Sequence, residues 1–507
     1  MSKSNDQKSG LRGRGGEGIA AYVGFSGPET PKYLLTNNFL LEYFEKTEDG
    51  QQAYDYTHFS QAGTLKTEDE GNEEKMREAF DRFLERYMGA EIIQNENQRL
   101  SRRFYFPITP DTLAGSTTVS LRHLLIHLQS LGDNFDFEGI RDGLADYIFR
   151  DHSGILKILK ILLAGREEPA LKGEPDLNEN FWGMLDTREK ARVKRLGERL
   201  NGDLHVLLTC TEFTGLDFYR RYQYLSILLT SYVIQYLLVR KGTRNCLLCK
   251  GDPTDSRLDG NIQRASYGCY VELRGLFPNL LQRYYMDAVS GLLDHDGCMN
   301  LVYRDDTIWV GKEKFQEFAK RLSGGRKWSI IETGQIIEAF RLAKEGESPE
   351  DGAAFSVPAE EFVLRYISLT GSRKGSNLTK ISSVLSTSGK QIDMIFPQSN
   401  AKQKYFAMSG SLAEFYVRMY LAEKGRKYDY LDNFLDHLTE RYRIVIGNSR
   451  GSERLLKSVK PRLSALELSV NKAVFVDNLN RINCLIKLSD SGYVITLPEK
   501  KGDFTLL

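Results

Sequence analysis

Four cysteines in the middle of the chain have the residue type, and in part the spacing, of a zinc site. Cys246 and Cys249 form a Cys-x-x-Cys pair, and Cys269 and Cys298 follow further along the chain. Thiolates spaced in this way bind zinc, and four protein ligands make such a site structural rather than catalytic. The second half of the set lacks a matching pair, and free cysteines also pack as small apolar residues. The sequence leaves both interpretations open.

Two adjacent carboxylates, Asp305 and Asp306, lie inside the apolar stretch Leu301–Val310 and could hold Mg²⁺. The stretch predicts two short strands joined by a polar turn. A polymerase-type metal site needs another aspartate at the end of a preceding strand, and Tyr270–Leu276 supplies none. No nucleotide-binding or hydrolase motif is present elsewhere. We therefore expect a protein that is not an enzyme, with a metal-dependent nuclease using dispersed carboxylates as an alternative.

The third group of candidate side chains is cationic and lies towards the C-terminus. Residues 354–507 contain 23 Lys and Arg against 15 Asp and Glu, whereas residues 1–353 contain 46 against 53. A basic region attached to an acidic body predicts one part that binds a polyanion and another that binds protein. The predicted DNA contacts are Lys472, Asn478, Arg481, Arg450, Arg454, Lys457, Lys460, Arg373 and Lys374.

A helix predicted over Ala473–Ile486 would position the side chains that read bases. Its apolar residues recur at helical spacing and predict a stripe that faces the core, formed by Phe475, Leu479, Ile482 and Leu485. Lys472, Asn478 and Arg481 fall outside that stripe. Asn and Arg can hydrogen-bond base edges in pairs, whereas cations in general contact phosphate. A turn and a strand follow this helix directly and predict a hairpin.

Two more helices are predicted before the cationic stretch 450–462. The first begins with a capping box formed by Ser411 and Glu414 and ends at Gly425, and Asp429 caps the second. This order of helices and hairpin resembles the winged-helix superfamily, in the C-terminal region only. The resemblance implies that Ala473–Ile486 occupies the recognition position and that the hairpin is the wing. Many winged helices bind protein, so that alternative stays open.

The length of 507 residues predicts several domains, and the helical periodicity predicts a mainly α, multi-domain fold. We expect a disordered tail over 1–19, a helical body over 20–240, a mixed α+β segment with the zinc candidates over 241–345, a linker over 346–353 and a basic winged-helix-like module over 354–507. The apolar run Tyr224–Val239 is too short to span a bilayer and predicts a buried central helix. Six scattered cysteines and a polar N-terminus predict a cytoplasmic protein.

The sequence therefore predicts a non-catalytic, DNA-associated subunit of a larger multi-protein complex. Its partners would be DNA and other protein subunits, such as an ATPase or a nuclease, with no membrane contact. The run LTERYRIVIG at 438–447 is similar to accessory proteins of bacterial anti-phage systems, which implies a role in antiviral defence. A scaffold that binds only protein is the second hypothesis, and structural zinc is the one cofactor considered.

Overall fold

The structure is a computed structural model, and it describes part of the chain. The described residues are 23–25, 33–45, 75, 78–79, 82, 86, 91–94, 100–103, 106–107, 121–150, 171–175, 177–178, 181–183, 185–242, 245–294, 301–304, 307–310, 330–344, 355–371, 377–399, 403–488 and 492–499. Within them the protein is mainly α-helical with small sheets, so the predicted fold class is confirmed. The domain boundaries stay predictions.

The first half of the described chain is a set of helices with one short hairpin. Its elements are α1 (Leu34–Leu40), β1 (Glu91–Gln94), β2 (Leu100–Arg103), α2 (Leu121–Ser130), α3 (Phe137–Leu144, continued by a π-helical turn Ala145–Arg150), α4 (Thr187–Thr209), α5 (Thr211–Thr214) and α6 (Phe218–Lys241). Asp186 and Asp217 cap α4 and α6 because each carboxylate accepts a backbone N–H of the first turn.

The second half mixes helices and strands. Its elements are β3 (Leu247–Lys250), a 3₁₀ turn (Ser256–Leu258), α7 (Asn261–Arg274), α8 (Leu276–Asp294), β4 (Leu301–Arg304), β5 (Thr307–Val310), α9 (Ile330–Ala343), β6 (Phe355–Pro358), α10 (Ala359–Gly371), α11 (Asn377–Gln391), β7 (Ile395–Phe396), β8 (Tyr405–Ala407), α12 (Gly410–Lys424), β9 (Tyr428–Tyr430), α13 (Leu431–Tyr442), β10 (Ile444–Val445), α14 (Ser452–Leu456), α15 (Ala465–Arg481), β11 (Leu485–Lys487) and β12 (Tyr493–Thr496).

A four-stranded sheet joins parts of the chain that are far apart in sequence. Its strand order is β10-β3-β8-β7, in which β3 is parallel to both β10 and β8 and β7 is antiparallel to β8. Leu247 pairs with Ile444, and Cys249 pairs with Phe406. A strand of the predicted middle segment therefore lies between two strands of the predicted C-terminal module.

The described strands that belong neither to the β1-β2 hairpin nor to the four-stranded sheet form two three-stranded antiparallel sheets. One has the order β11-β12-β9 and includes the predicted C-terminal hairpin. The other has the order β4-β5-β6 and confirms the hairpin predicted over Leu301–Val310. Asp305 and Asp306, at the turn of that hairpin, lie outside the described residues.

The central helix α6 is buried along nearly its whole length, as the sequence predicts. It is long and apolar enough to be a candidate membrane span, but 89% of its apolar window is buried inside the molecule. The main hydrophobic core extends from Val23 to Leu497 and includes α6, α12 and β12. The helix is thus the centre of a shared core, which is consistent with a soluble protein.

Three local predictions in the C-terminal region are wrong. Asp429 does not cap α13, whose N-cap is Tyr430 without a side-chain cap hydrogen bond. The helix expected over Ala473–Ile486 runs from Ala465 to Arg481, and it begins at a capping box formed by Ser464 and Glu467. The capping box expected at Ser411 is absent from α12, whose N-cap is Ser409, with a side chain that accepts from the amide of Leu412. Gly425 ends α12 in the left-handed conformation (φ 61°), as predicted.

Candidate nucleic-acid interface

Helix α15, which carries the predicted base-reading residues, lies across the carboxyl ends of the parallel strands. Asn471 Nδ2 donates to the Cys249 carbonyl at 2.9 Å, and Asn471 Oδ1 accepts from the Gly251 amide at 2.8 Å. A Cβ on Gly251 would lie 2.7 Å from the backbone nitrogen of Phe475, so only glycine permits this approach. One face of α15 is therefore fixed against the sheet.

Asn478 is buried, which corrects the prediction that it points outward. Its Nδ2 donates to the carbonyl oxygens of Gly251 at 2.9 Å and Met408 at 2.8 Å. These two carbonyls follow β3 and β8, and a buried polar side chain that satisfies such groups stabilises the fold. The amide of Asn478 is therefore not available to a base edge.

Lys472 and Arg481 lie at the margins of α15, and each is paired with an acid. Lys472 Nζ pairs with Asp432 of α13, and Arg481 Nη2 pairs with the buried Asp252 that follows β3. The exposed residues along the middle and end of α15 are Ser469, Ala473, Asp477, Asn480 and Arg481. Apart from Arg481, this face is neutral or acidic, and it offers phosphate little attraction.

The other predicted contacts form a separate surface, which we call the cationic segment (residues 450–462). Its cations are Arg450, Arg454, Lys457, Lys460 and Arg462, and all five are exposed. The segment contains a single carboxylate, Glu453. Within the part of the chain that the structure describes, none of the five cations forms an ion pair. Arg450, Arg454, Lys457 and Lys460 are thus exposed within one short segment, and the three candidates on α15 lie outside it.

Apolar side chains hold the cationic segment on the protein, and this leaves its charged side chains exposed to solvent. Val459 is buried, and Leu455, Leu456 and Leu463 pack beside it. They contact a small core formed by Cys246, Leu248, Ala265, Val445 and Leu468. Because the leucines and the valine are held on the sheet and on α7, the intervening Arg and Lys side chains extend away from the protein.

Two arginines beside the cationic segment were not among the predicted contacts. Arg443 follows α13, and both Arg199 of α4 and Arg454 lower its pKa, after the larger effect of burial. Arg199 and Arg443 are distant in sequence, and α4 has the charge pattern of an ordinary solvated helix. No local pattern could have predicted the hydrogen bond from Arg199 Nη1 to the Arg441 carbonyl at 3.0 Å.

The three described cysteines of the predicted zinc site do not converge on one point. Cys246 precedes β3 and Cys249 lies within it, so their side chains point to opposite faces of the strand. Cys246 and Cys249 accordingly belong to different hydrophobic clusters. Cys269 of α7 hydrogen-bonds Cys246, and Cys298 lies outside the described residues. Among described residues, no group of three metal-binding side chains occurs.

Arg373 and Lys374, the remaining predicted DNA contacts, also lie outside the described residues, between α10 and α11. Comparison with known proteins adds nothing to these assignments. No protein-family model, no curated protein and no solved structure matches the chain.

Proposed function

We propose that this chain is a non-catalytic subunit that holds DNA by its phosphate backbone along the cationic segment. The observation that carries the proposal is the set of five exposed cations between Arg450 and Arg462, none paired with an acid among the described residues. Lys and Arg contacts to phosphate supply affinity without sequence information. Because Asn478 is buried, the proposal is for binding independent of sequence.

The arrangement of the C-terminal elements supports a winged-helix-like module as part of this proposal. Helix α12, strand β9 and helices α13 and α15 precede the hairpin, and β12 lies between β9 and β11. This order is compatible with the winged-helix resemblance of the sequence. In such a module α15 would take the recognition position, but here it packs on the sheet, and the cationic segment before it would contact DNA instead.

The rest of the proposal concerns partners. The acidic body would contact other protein subunits, such as an ATPase or nuclease, that supply the catalytic activity of the assembly. The similarity of residues 438–447 to anti-phage accessory proteins makes bacterial defence the setting we propose. A cytoplasmic location belongs to the same proposal.

The test uses the full chain and a fluorescent duplex of about 30 base pairs, with binding measured by anisotropy between low and physiological salt. We expect the variant Lys457→Gln, Lys460→Gln to bind more weakly. Its slope of log K against log salt should be shallower by about 0.9 for each phosphate that the variant no longer neutralises. Duplexes of different sequence should bind equally well.

The matched control is Lys472→Gln, which removes a cation that is already neutralised by Asp432. Its affinity and salt slope should stay close to those of the parent protein. Absence of binding at low salt would refute the proposal and favour a scaffold that binds only protein. Equal losses in the control and the double variant would show that the cationic segment is not the contact surface.

A further inference from the structure

Two lysine side chains meet at one carbonyl oxygen in the connection between β7 and β8. Lys390, in the last turn of α11, donates from Nζ to the Ser399 carbonyl at 3.1 Å. Lys404, just before β8, donates from Nζ to the same oxygen at 3.0 Å. Because both hydrogen bonds end on one atom, the two amines are close neighbours. We call Lys390 and Lys404 the lysine pair.

The positive charges of the lysine pair are not balanced by an acid. Among the described residues, neither amine forms an ion pair. The carboxylate nearest in sequence is Asp393, whose Oδ1 accepts from Gln398 Nε2 at 3.0 Å. Two neighbouring ammonium groups repel each other, and the loss of one proton relieves the repulsion. Burial, followed by the neighbouring Lys390 amine, lowers the pKa of Lys404 to about 8.

The ordinary explanation is that both lysines satisfy the Ser399 carbonyl. A carbonyl oxygen has two lone pairs and can accept both hydrogen bonds. This accounts for the two bonds, but it leaves two unbalanced charges beside one atom. A neutral amine on Lys404 removes the conflict, because it still donates to Ser399 and no longer repels Lys390.

A neutral lysine amine beside a second cation is a nucleophile, whereas an ammonium group is not. The Lys404 side chain is half-buried, so a small reagent can reach it. The charge of Lys390 attracts an anionic reagent to the same place. The lysine pair therefore suits a reagent that joins an electrophilic carbonyl carbon to a phosphate group.

We propose that Lys404 is a modification site that is acylated by acyl phosphates, with Lys390 binding the phosphate group of the reagent. The lone pair of Lys404 Nζ attacks the carbonyl carbon and forms the carbon–nitrogen bond of an amide. The bond from that carbon to the phosphate oxygen breaks, and the phosphate leaves with the electron pair. The proton that the amine loses ends on the leaving phosphate, so the products are the acylated lysine and hydrogen phosphate.

Acetyl phosphate is the probe that tests this site in the full chain. At neutral pH, peptide mass spectrometry should find Lys404 acetylated about tenfold faster than Lys457, an exposed lysine of the cationic segment. The rate at Lys404 should level off above a pH of about 8, where most of its amine is already neutral. Equal rates at Lys404 and Lys457 would overturn the proposal.

Two variants separate the effect of Lys390 from a general effect of losing a lysine. Lys390→Gln removes the neighbouring charge, so it should slow the acetylation of Lys404 and move the plateau to higher pH. The matched control is Lys380→Gln, an exposed position on the same helix, which should leave the rate and the pH profile unchanged. An unchanged profile in Lys390→Gln would contradict the role given to Lys390.

Acetic anhydride, which carries no phosphate, tests the choice of reagent. The rate with acetyl phosphate relative to the rate with acetic anhydride should be higher at Lys404 than at Lys457, and Lys390→Gln should abolish this preference. The same ratio at both lysines in the parent protein would overturn acyl phosphates as the reagent class. These outcomes are independent of the DNA measurements, because neither member of the lysine pair lies in the cationic segment.

Discussion

Asp203 joins the helical body to the C-terminal region through one buried carboxylate. On α4, its Oδ2 accepts hydrogen bonds from Tyr232 of α6 at 2.7 Å and Tyr442 of α13 at 2.8 Å, and its Oδ1 pairs with Arg441. Burial raises the pKa of both tyrosines well above their usual value, so both hydroxyls stay donors. The carboxylate of Asp203 is thus a shared partner of Tyr232, Tyr442 and Arg441.

Replacing Asp203 with Ala should destabilise the protein by about 3 to 5 kcal/mol, because two buried hydroxyls lose their acceptor and Arg441 keeps only the 3.7 Å contact of its Nη1 with Glu423. Urea unfolding of the full chain measures the change. The control is Asp146→Ala, which removes an exposed ion pair with Arg150 and should cost less than about 1 kcal/mol. A similar small cost at Asp203 would mean that the network contributes little to holding α4, α6 and α13 together.

Cys269 should be the most reactive of the three cysteines near β3. A hydrogen bond from the Cys246 thiol lowers the pKa of Cys269, whereas burial raises the pKa of Cys249. Cys269 is also partly exposed. Its thiolate therefore forms at lower pH, and only the thiolate attacks an alkylating reagent.

With iodoacetamide at neutral pH, peptide mass spectrometry should find Cys269 modified first and Cys249 last. The variant Cys246→Ala removes the hydrogen bond and should slow the modification of Cys269. Modification of Cys249 at the rate of Cys269 would contradict the structure of this region.

At the scale of elements, α15 depends on a close approach to the sheet. An ideal Cβ on Gly251 would lie 2.7 Å from both the carbonyl oxygen of Asn471 and the amide nitrogen of Phe475. Gly251→Ala must push α15 away and should cost about 1 to 3 kcal/mol in urea unfolding, the range for overpacking a tight site. Gly173→Ala, with nothing within 4 Å of its Cβ, should change stability by less than about 0.5 kcal/mol.

The starts of α12 and α15 show how far a local sequence pattern can predict structure. Residues 403–488 contain two Ser-x-x-Glu motifs, at Ser411 and at Ser464, and a capping box forms only at the second. Glu414 is instead bound to Arg418, four residues later, and to Arg220 of α6. Because Arg220 is distant in sequence, the sequence did not reveal its competition for Glu414, and the predicted N-cap of α12, Ser411, lies two residues after the observed N-cap, Ser409.

The buried asparagines of α15 mark a second limit of sequence reasoning. Asn478 was predicted to read bases because polarity alone assigns it outside the core stripe, and Asn471 precedes the helix predicted over Ala473–Ile486. Both instead bond backbone groups, Asn471 those of Cys249 and Gly251, and Asn478 those of Gly251 and Met408. The prediction from periodicity that Phe475 and Leu479 lie in the core is confirmed. Burial of an apolar side chain can be predicted without knowing which residues it will contact, whereas burial of an asparagine depends on its hydrogen-bond partners.

At the scale of the whole molecule, the sequence predicted the fold class and the buried central helix but not the pairing of strands. The mainly α fold and the buried helix α6 follow from periodicity and length. The sheet β10-β3-β8-β7 does not, because parallel pairing of Leu247 with Ile444 brings together residues almost two hundred positions apart. The cations of 450–462 are exposed, whereas the hydrogen bond from Arg199 of α4 to the Arg441 carbonyl of α13 follows from no pattern within either helix.

This sheet predicts that residues 354–507 will not fold as an isolated fragment. Both β8 and β10 pair with β3, and Asn471 and Asn478 would lose the backbone partners at Cys249 and Gly251. Each buried polar group left unsatisfied costs about 1 to 3 kcal/mol. We expect no cooperative thermal transition by circular dichroism. The control is the full chain cut at a protease site inserted within 346–353, which keeps β3 and should retain a cooperative transition. A cooperative transition of the isolated fragment would instead establish 354–507 as a module that folds independently of β3.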